Sequence, residues 1–295
     1  MNLSKFLVKP RHKVNLNKYD PGFTAGWDKK DARVQLDVDT ETLAKFQDMM
    51  FAQKPRIEGF LAIFQARDGA GKDSIAEAVM SKVHHAGCHF TPFGVPTEED
   101  LDYGYLHRHM LTEPKRGHFS VWIRSHLEEV LIAKIRPEVL AKQHLPKSLK
   151  DEHIWKRRYE EIRNYHQYLA QNGFIVVIIF LHISQEEQWK QLHERVVDTT
   201  KYHKSSIKDV HERQILWNEY QKAVEKMLFE LSTKHAHAYV VPADHRWFAK
   251  MLVARIFVQE LEKLDLCYPK PTGDRKKEIA ETRRLLEEEK KSHRK

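Results

Sequence analysis

With 295 residues, 41% of them apolar and 31% charged, the chain is long enough for one large α/β domain with an ordinary buried core. Lysine and arginine outnumber aspartate and glutamate by eight and the pI is about 9.2, a balance that favours a polyanionic partner. An N-terminus without a signal-peptide core, a longest apolar run (Phe174–Leu181) far too short to span a bilayer, and two cysteines (Cys88, Cys267) outside any C-x-x-C spacing argue against a secreted, membrane-spanning or disulfide-built protein, and for a soluble cytoplasmic one with free thiols.

Residues 1–37 are polar, carry Pro10, Pro21 and Gly22, and read as an irregular arm lying on the domain. Thr40–Ala52 reads as a first helix capped by Asp39 or Thr40, and the apolar run Gly59–Gln65 as a buried strand leading into a helix over Ser74–His85. His89–Phe93 predicts a second strand, followed by a turn and a helix capped by Thr97, with Glu99 and Asp100 in its first turn. Phe119–Ile123 predicts a third strand, with Ser125 capping the helix after it. Lys150–Gln171 predicts a long amphipathic helix stopped at Asn172-Gly173, then Phe174–His182 as the most apolar strand. Ser184 caps a helix to about Val197; Asp209–Thr233 predicts another; Ala238–Val241 is a short strand and Trp247–Leu264 a closing helix. Strands alternating with helices predict a parallel sheet covered on both faces. The division expected is an arm over 1–37, one domain over 38–268 and a charged tail over 269–295. Nine basic and six acidic residues in Asp274–Lys295 mix signs as a solvated helix does, leaving an excess of five positive charges in the body.

The most specific stretch is Ala66-Arg67-Asp68-Gly69-Ala70-Gly71-Lys72-Asp73, set between a strand and a helix. It is a variant of the phosphate-cradling loop G-x-x-x-x-G-K-[ST], with Ala66 at the first glycine and Asp73 at the hydroxyl position. Backbone amides of Gly69, Ala70 and Gly71 and the positive helix end face an anion, and Lys72 adds a full charge. The hydroxyl normally ligates magnesium, so Asp73 implies a rearranged metal site or a different phosphorylated ligand. Asp73 at a helix N-terminus also serves the dipole by itself, so structural and functional roles stand side by side.

With this loop, the chain carries Phe93–Val95-Pro96-Thr97-Glu98-Glu99, Arg124-Ser125-His126 with Glu128-Glu129-Val130, Leu181-His182-Ile183-Ser184, and Val240–Asp244 before Trp247-Phe248. In this order, from about Arg11 to Leu264, these motifs resemble the family-2 polyphosphate kinases. The resemblance implies a three-layer P-loop kinase-like α/β domain: a parallel sheet flanked by helices, with a helical lid. It implies reversible, Mg2+-dependent phosphoryl transfer between inorganic polyphosphate and nucleoside mono- or diphosphates, purine nucleotides among them, by a homodimer or homotetramer. Lys72 would bind the transferring phosphoryl group, and Asp68 would hold the metal or orient the acceptor. Arg124, at the carboxyl end of the third strand, would neutralise transition-state charge through its planar fork. Arg116 would line the polyphosphate path, and Arg195 and Lys201 in the lid would close on the phosphates.

Several positions depart from the family's pattern. Ile123 stands where an aspartate or asparagine precedes Arg-Ser, and offers no oxygen to a hard cation. Leu127 replaces an aromatic residue, Gly94 a lysine and Ala238 a tryptophan, and Lys201-Tyr202-His203-Lys204 alters the lid motif. These departures motivate an alternative: a catalytically weakened polyphosphate-binding or regulatory paralogue. The nineteen histidines include close pairs but no Cys/His framework for zinc. No nucleic-acid-binding motif is present, and polyphosphate makes the same electrostatic demand as a nucleic acid.

Overall fold

The computed structural model describes residues 1–53 and 58–293; the last two residues of the expected tail lie outside them. Five strands form one parallel sheet in the order β2-β3-β1-β4-β5. In chain order, α1 (Lys29–Ala52) precedes β1 (Gly59–Ala66), α2 (Lys72–Val79), β2 (Cys88–Pro92), α3 (Glu98–Asp102), α4 (His107–Met110) and β3 (Phe119–Ile123). A 3-10 turn over His126–Val130 leads to the short helices α5 (Ile132–Ile135) and α6 (Pro137–Lys142), then to α7 (Ile154–Gln171) and β4 (Phe174–His182). The remainder is α8 (Gln185–Val197), a 3-10 segment (Thr199–Lys204), α9 (Ile207–Ile215), α10 (Trp217–Leu231), β5 (Ala236–Pro242), α11 (Arg246–Glu262) and α12 (Gly273–Ser292).

Strand alternation sorts the core into two layers. Phe60, Ala62 and Phe64 of β1, with Val177 and Ile179 of β4, pack among Leu43, Ile75, Leu252 and Phe257 of α1, α2 and α11. Leu61 and Ile63, with Ile178 and Phe180, face Ile162, Leu169, Val224 and Leu228 of α7 and α10. Every β1 residue is buried, as a central parallel strand covered on both faces must be. The N-terminal segment lies on the sheet edge: Val8 N–H donates to Ala238 O at 2.9 Å, and Val240 N–H to Phe6 O at 2.9 Å. It thereby pairs backbone groups that an open edge at β5 would expose.

Three expected boundaries are corrected. The arm ends at Asp28, because Asp28 caps Asp31 and starts α1 at Lys29, eleven residues before the predicted Thr40. Asp39 is no cap; its buried carboxylate pairs with Arg255 at 2.8 Å. The helix predicted over Asp209–Thr233 breaks at Leu216: α10 buries six residues and α9 none, so packing supports only the second part. Gly71, in the left-handed conformation (φ +84°), starts α2 directly at Lys72, and the helix ends at Val79, short of the predicted His85. Thr97, Ser125 and Ser184 do cap as expected, Thr97 in a reciprocal box with Asp100. Cys88 and Cys267 are unpaired.

Candidate active site

The loop after β1 lies at the carboxyl end of the sheet, where β1 separates β3 from β4; open α/β sheets bind ligands at such a switch point. Two glycines make its turn: Gly69 and Gly71 have φ of +90° and +84°, which a side chain would strain. Gly71 also admits a close neighbour, since a Cβ there would stand 3.2 Å from Arg246 Nε.

Lys72, only 6% exposed, folds back under the loop and donates from Nζ to Ala66 O (3.0 Å) and Arg67 O (3.2 Å). Its Nζ is 3.6 Å from Asp68 Oδ1, and Arg124 Nη2 donates to the same oxygen at 2.6 Å. Burial pushes the Asp68 carboxyl up, but Lys72 and Arg124 more than reverse it and hold it at about 2. Burial drives the Lys72 pKa down, and Asp68 opposes the shift. Arg124 follows β3 with φ +63°, a conformation that costs a non-glycine residue about 1–3 kcal/mol. Its N–H is tied to Phe64 O at 2.9 Å.

Two cavities meet at this group. One, of about 620 Å³, is lined by six cations (Lys72, Arg124, Arg195, Lys201, Lys204, Arg246) against three carboxylates (Asp68, Asp73, Glu194). The other, of about 520 Å³, runs past Arg67, Pro96, Glu128, Ile132, Val139 and Tyr220 and is the less polar. Asp68, Phe93, Gly94 and Arg124 line both. Asp73, exposed in the first turn of α2, borders the cationic cavity. Arg195 reaches it while paired to Asp209 at 3.0 Å, and Lys201 while paired to Glu194 and Asp198.

Arg116 is not at this site. It precedes β3 and stacks over Phe174, the first residue of β4, at the amino end of the sheet. A five-residue strand rising about 3.3 Å per residue puts it roughly 16 Å from the loop end. The expectation overlooked that a residue before a parallel strand and one after it lie on opposite rims.

Other residues of the site were missed. Arg246 opens α11 just past β5, donates to Gln191 Oε1 and lies beside Gly69 O and Gly71. The positional rule that singled out Arg124 applies to it as well. Arg67 lies over the rings of Trp217 and Tyr220 (3.7 and 4.3 Å) and donates to Trp217 O at 2.6 Å, clamping the start of α10 to the phosphate loop. Glu128 accepts from Gln65 Nε2 at 2.8 Å, while its buried Oε2 has no partner; burial raises its pKa.

The donor set tests what metal the site suits. Among the described residues no three His, Cys, Asp or Glu side chains converge as a cage. Ile123, 6% exposed at the end of β3, supplies no oxygen. One loop carboxylate at the mouth of a cationic cavity, with the orphaned Glu128 Oε2 nearby, suits a hard cation that shares its shell with phosphates and water.

Comparison with known proteins agrees with this architecture. The polyphosphate kinase 2 (PPK2) family model matches residues 26–267. The AMP/ADP-polyphosphate phosphotransferase of Meiothermus ruber is 34% identical over 95% of this chain and 100% of its own length. The ADP-polyphosphate phosphotransferase of Rhodopseudomonas palustris is 34% identical over 96% of this chain and 97% of its own. The crystal structure of polyphosphate kinase 2 from Arthrobacter aurescens superposes with a TM-score of 0.86 at 30% identity, covering 98% of both chains.

Proposed function

The chain belongs to the polyphosphate kinase 2 family, and from that premise we propose that it transfers phosphoryl groups reversibly between inorganic polyphosphate and nucleoside mono- or diphosphates. The observation that carries the reading is the meeting of a cationic cavity and a less polar one at the Asp68–Arg124 pair. A linear polyanion fits the first, and a nucleotide acceptor the second. At the junction an acceptor phosphate oxygen attacks the terminal phosphorus of the chain, the bridging P–O bond breaks, and polyphosphate leaves shortened by one unit. The reverse reaction uses the same geometry.

Such transfer asks for in-line placement and charge neutralisation rather than covalent chemistry by the protein. The amides of Gly69, Ala70 and Gly71 and the start of α2 hold the terminal phosphate. Lys72, held by its loop carbonyls, lends its full charge to that phosphate from beneath the loop. Arg124, bordering both cavities, neutralises the equatorial oxygens, while Arg195, Lys201 and Arg246 grip the rest of the chain from the α8–α9 lid and from α11. Magnesium, held by Asp68 with substrate phosphates, would offset phosphate charge and help to orient the reacting groups. The same reading places the enzyme in the cytoplasm, with purine nucleotides as acceptors, as a homodimer or homotetramer. The unpaired thiols and the exposed Val34 and Val38 on α1 support it.

Incubation with polyphosphate, Mg2+ and each nucleoside mono- and diphosphate tests the proposal, with Lys72→Ala as control. Absence of product with every acceptor overturns it. Ile123 favours a second reading, a weakened enzyme that retains polyphosphate affinity; binding without turnover would select it.

No helix among the described residues is long and apolar enough to cross a membrane.

A further inference from the structure

Resting on that reading, we infer that Arg124 and the metal compete for Asp68, so that metal loading releases Arg124 to the transferring phosphate. The loop carboxylate is a switch between a latched and an armed arginine.

The latch is visible. Asp68 Oδ1 receives Arg124 Nη2 at 2.6 Å and has Lys72 Nζ at 3.6 Å, so one carboxylate already faces two cations. A dication bound to that carboxylate, both of whose resident cations sit on Oδ1, would add a third cation to the cluster, and the repulsion among the three favours the retreat of one resident. Lys72 is the poorer candidate: it is 6% exposed and held by the Ala66 and Arg67 carbonyls. Arg124 is free to go. Its side chain is 37% exposed, and among the described residues its guanidinium has no other hydrogen bond.

The stem of Arg124 stays put while the head moves. Its backbone is fixed in the left-handed region at the end of β3, with N–H on Phe64 O. Arg124 borders both cavities, so a guanidinium leaving Asp68 stays at the junction where donor and acceptor phosphates meet. Without metal, Arg124 and Asp68 neutralise one another. With metal, the carboxylate serves the cation and the arginine serves the phosphate. Metal and polyphosphate therefore promote each other's binding, by the same factor in either order.

Mn2+ titration followed by electron paramagnetic resonance, without phosphate, reads the competition directly. Arg124→Ala is expected to bind Mn2+ about tenfold more tightly than wild type, within the range usual for such couplings. Asp68→Asn should abolish binding in either background, assigning the ion to this carboxylate. Equal or weaker binding by Arg124→Ala overturns the inference. A second measurement needs no folded variant: in 15N-arginine-labelled wild type, Mg2+ alone should shift the Nε–Hε resonance of Arg124. An unmoved resonance at saturating metal overturns the latch as well. Calorimetry with Mg2+ and tripolyphosphate separates the two levels: wild type that binds metal but no tripolyphosphate sinks the functional reading and leaves the metal competition standing.

Discussion

Asp68→Asn tests whether the loop carboxylate holds Lys72 and Arg124 together. Lys72 and Arg124 hold the folded-state carboxyl of Asp68 at about 2, against an ordinary 3.8. At 1.36 kcal/mol per unit this is about 2 kcal/mol of stability for a carboxylate 28% exposed. The pKa is depressed, so the contribution is complete above 3.8 and is lost as pH falls from there through about 2. At pH 7 asparagine removes all of it and leaves Lys72 and Arg124 facing each other without their shared counter-charge. For a chain of 295 residues, 2 kcal/mol corresponds to a fall in Tm of about 3 °C. Calorimetric scans at pH 7 without metal or phosphate should show that fall. A cycle with Arg124→Gln should return a coupling of about 0.5–3 kcal/mol, since the two groups are in contact while Lys72 and Arg195 share in the depression. The gap should persist from pH 7 to pH 5 and begin to close below pH 4. If Asp68→Asn melts at or above wild type, the carboxylate is a source of strain and the electrostatic account is wrong.

Lys72→Ala should lower kcat by at least about 100-fold, the usual loss when a transition-state donor is removed, with polyphosphate affinity measured alongside. Arg246→Ala should raise KM for polyphosphate and leave kcat near wild type, while Arg116→Ala, on the opposite rim, should change neither; steady-state kinetics checks both. Ile123→Asp should raise turnover about tenfold and lower the metal concentration giving half-maximal rate. Unchanged kinetics would mean that phosphates and water already complete the metal shell. His126 and His166 share a buried hydrogen bond (Nε2 to Nε2, 2.8 Å), with His109 packed against His126; burial holds His109 and His166 at about 3 and His126 well below its ordinary value. Folded, they resist protonation that the unfolded chain accepts below about 6.5, so stability falls with pH through that window. The slope approaches about 1.4 kcal/mol per pH unit for each histidine, and urea midpoints between pH 7 and pH 5 should show it.

The strands were the most legible part of the sequence. Phe119–Ile123 and Phe174–His182 were read to the residue, because a parallel strand buried on both faces leaves a nearly continuous apolar run, broken in the first only by Ser120. Caps were legible for a local reason: Thr97, Ser125 and Ser184 each bond an amide two or three residues on. Elements decided by distant packing were not. The break at Leu216 depends on which part meets the sheet, information that lies far away in sequence, whereas the early start of α1 rests on a local cap at Asp28 within a polar stretch. The same division runs through the site. Lys72, Asp68 and Arg124 sit in contiguous motifs, and the fold brings the three side chains together. Arg246 reaches the loop only because β5 ends beside it, and Glu128 became visible as a site residue only once Gln65 lay under it.

The arrangement also explains how the site survives an apolar residue at the end of β3. Ile123 packs into the α1–α2–α11 layer, among Phe64, Ile75 and Phe257, while also bordering the cationic cavity. An oxygen there would bind metal directly but would lie at the edge of a dry core, where an unpaired carboxylate is costly. With isoleucine in place, Asp68 is left as the loop's own carboxylate, shared by Lys72 and Arg124 before any ion arrives. A metal can bind that carboxylate alone by displacing the arginine, and it binds more tightly where phosphates occupy the arginine it displaces. Rates should therefore follow the concentration of the metal–polyphosphate complex rather than that of free metal. Varying Mg2+ at fixed polyphosphate, and polyphosphate at fixed Mg2+, distinguishes the two. Metal affinity that is the same with and without polyphosphate would contradict a shared carboxylate and require an independent metal site.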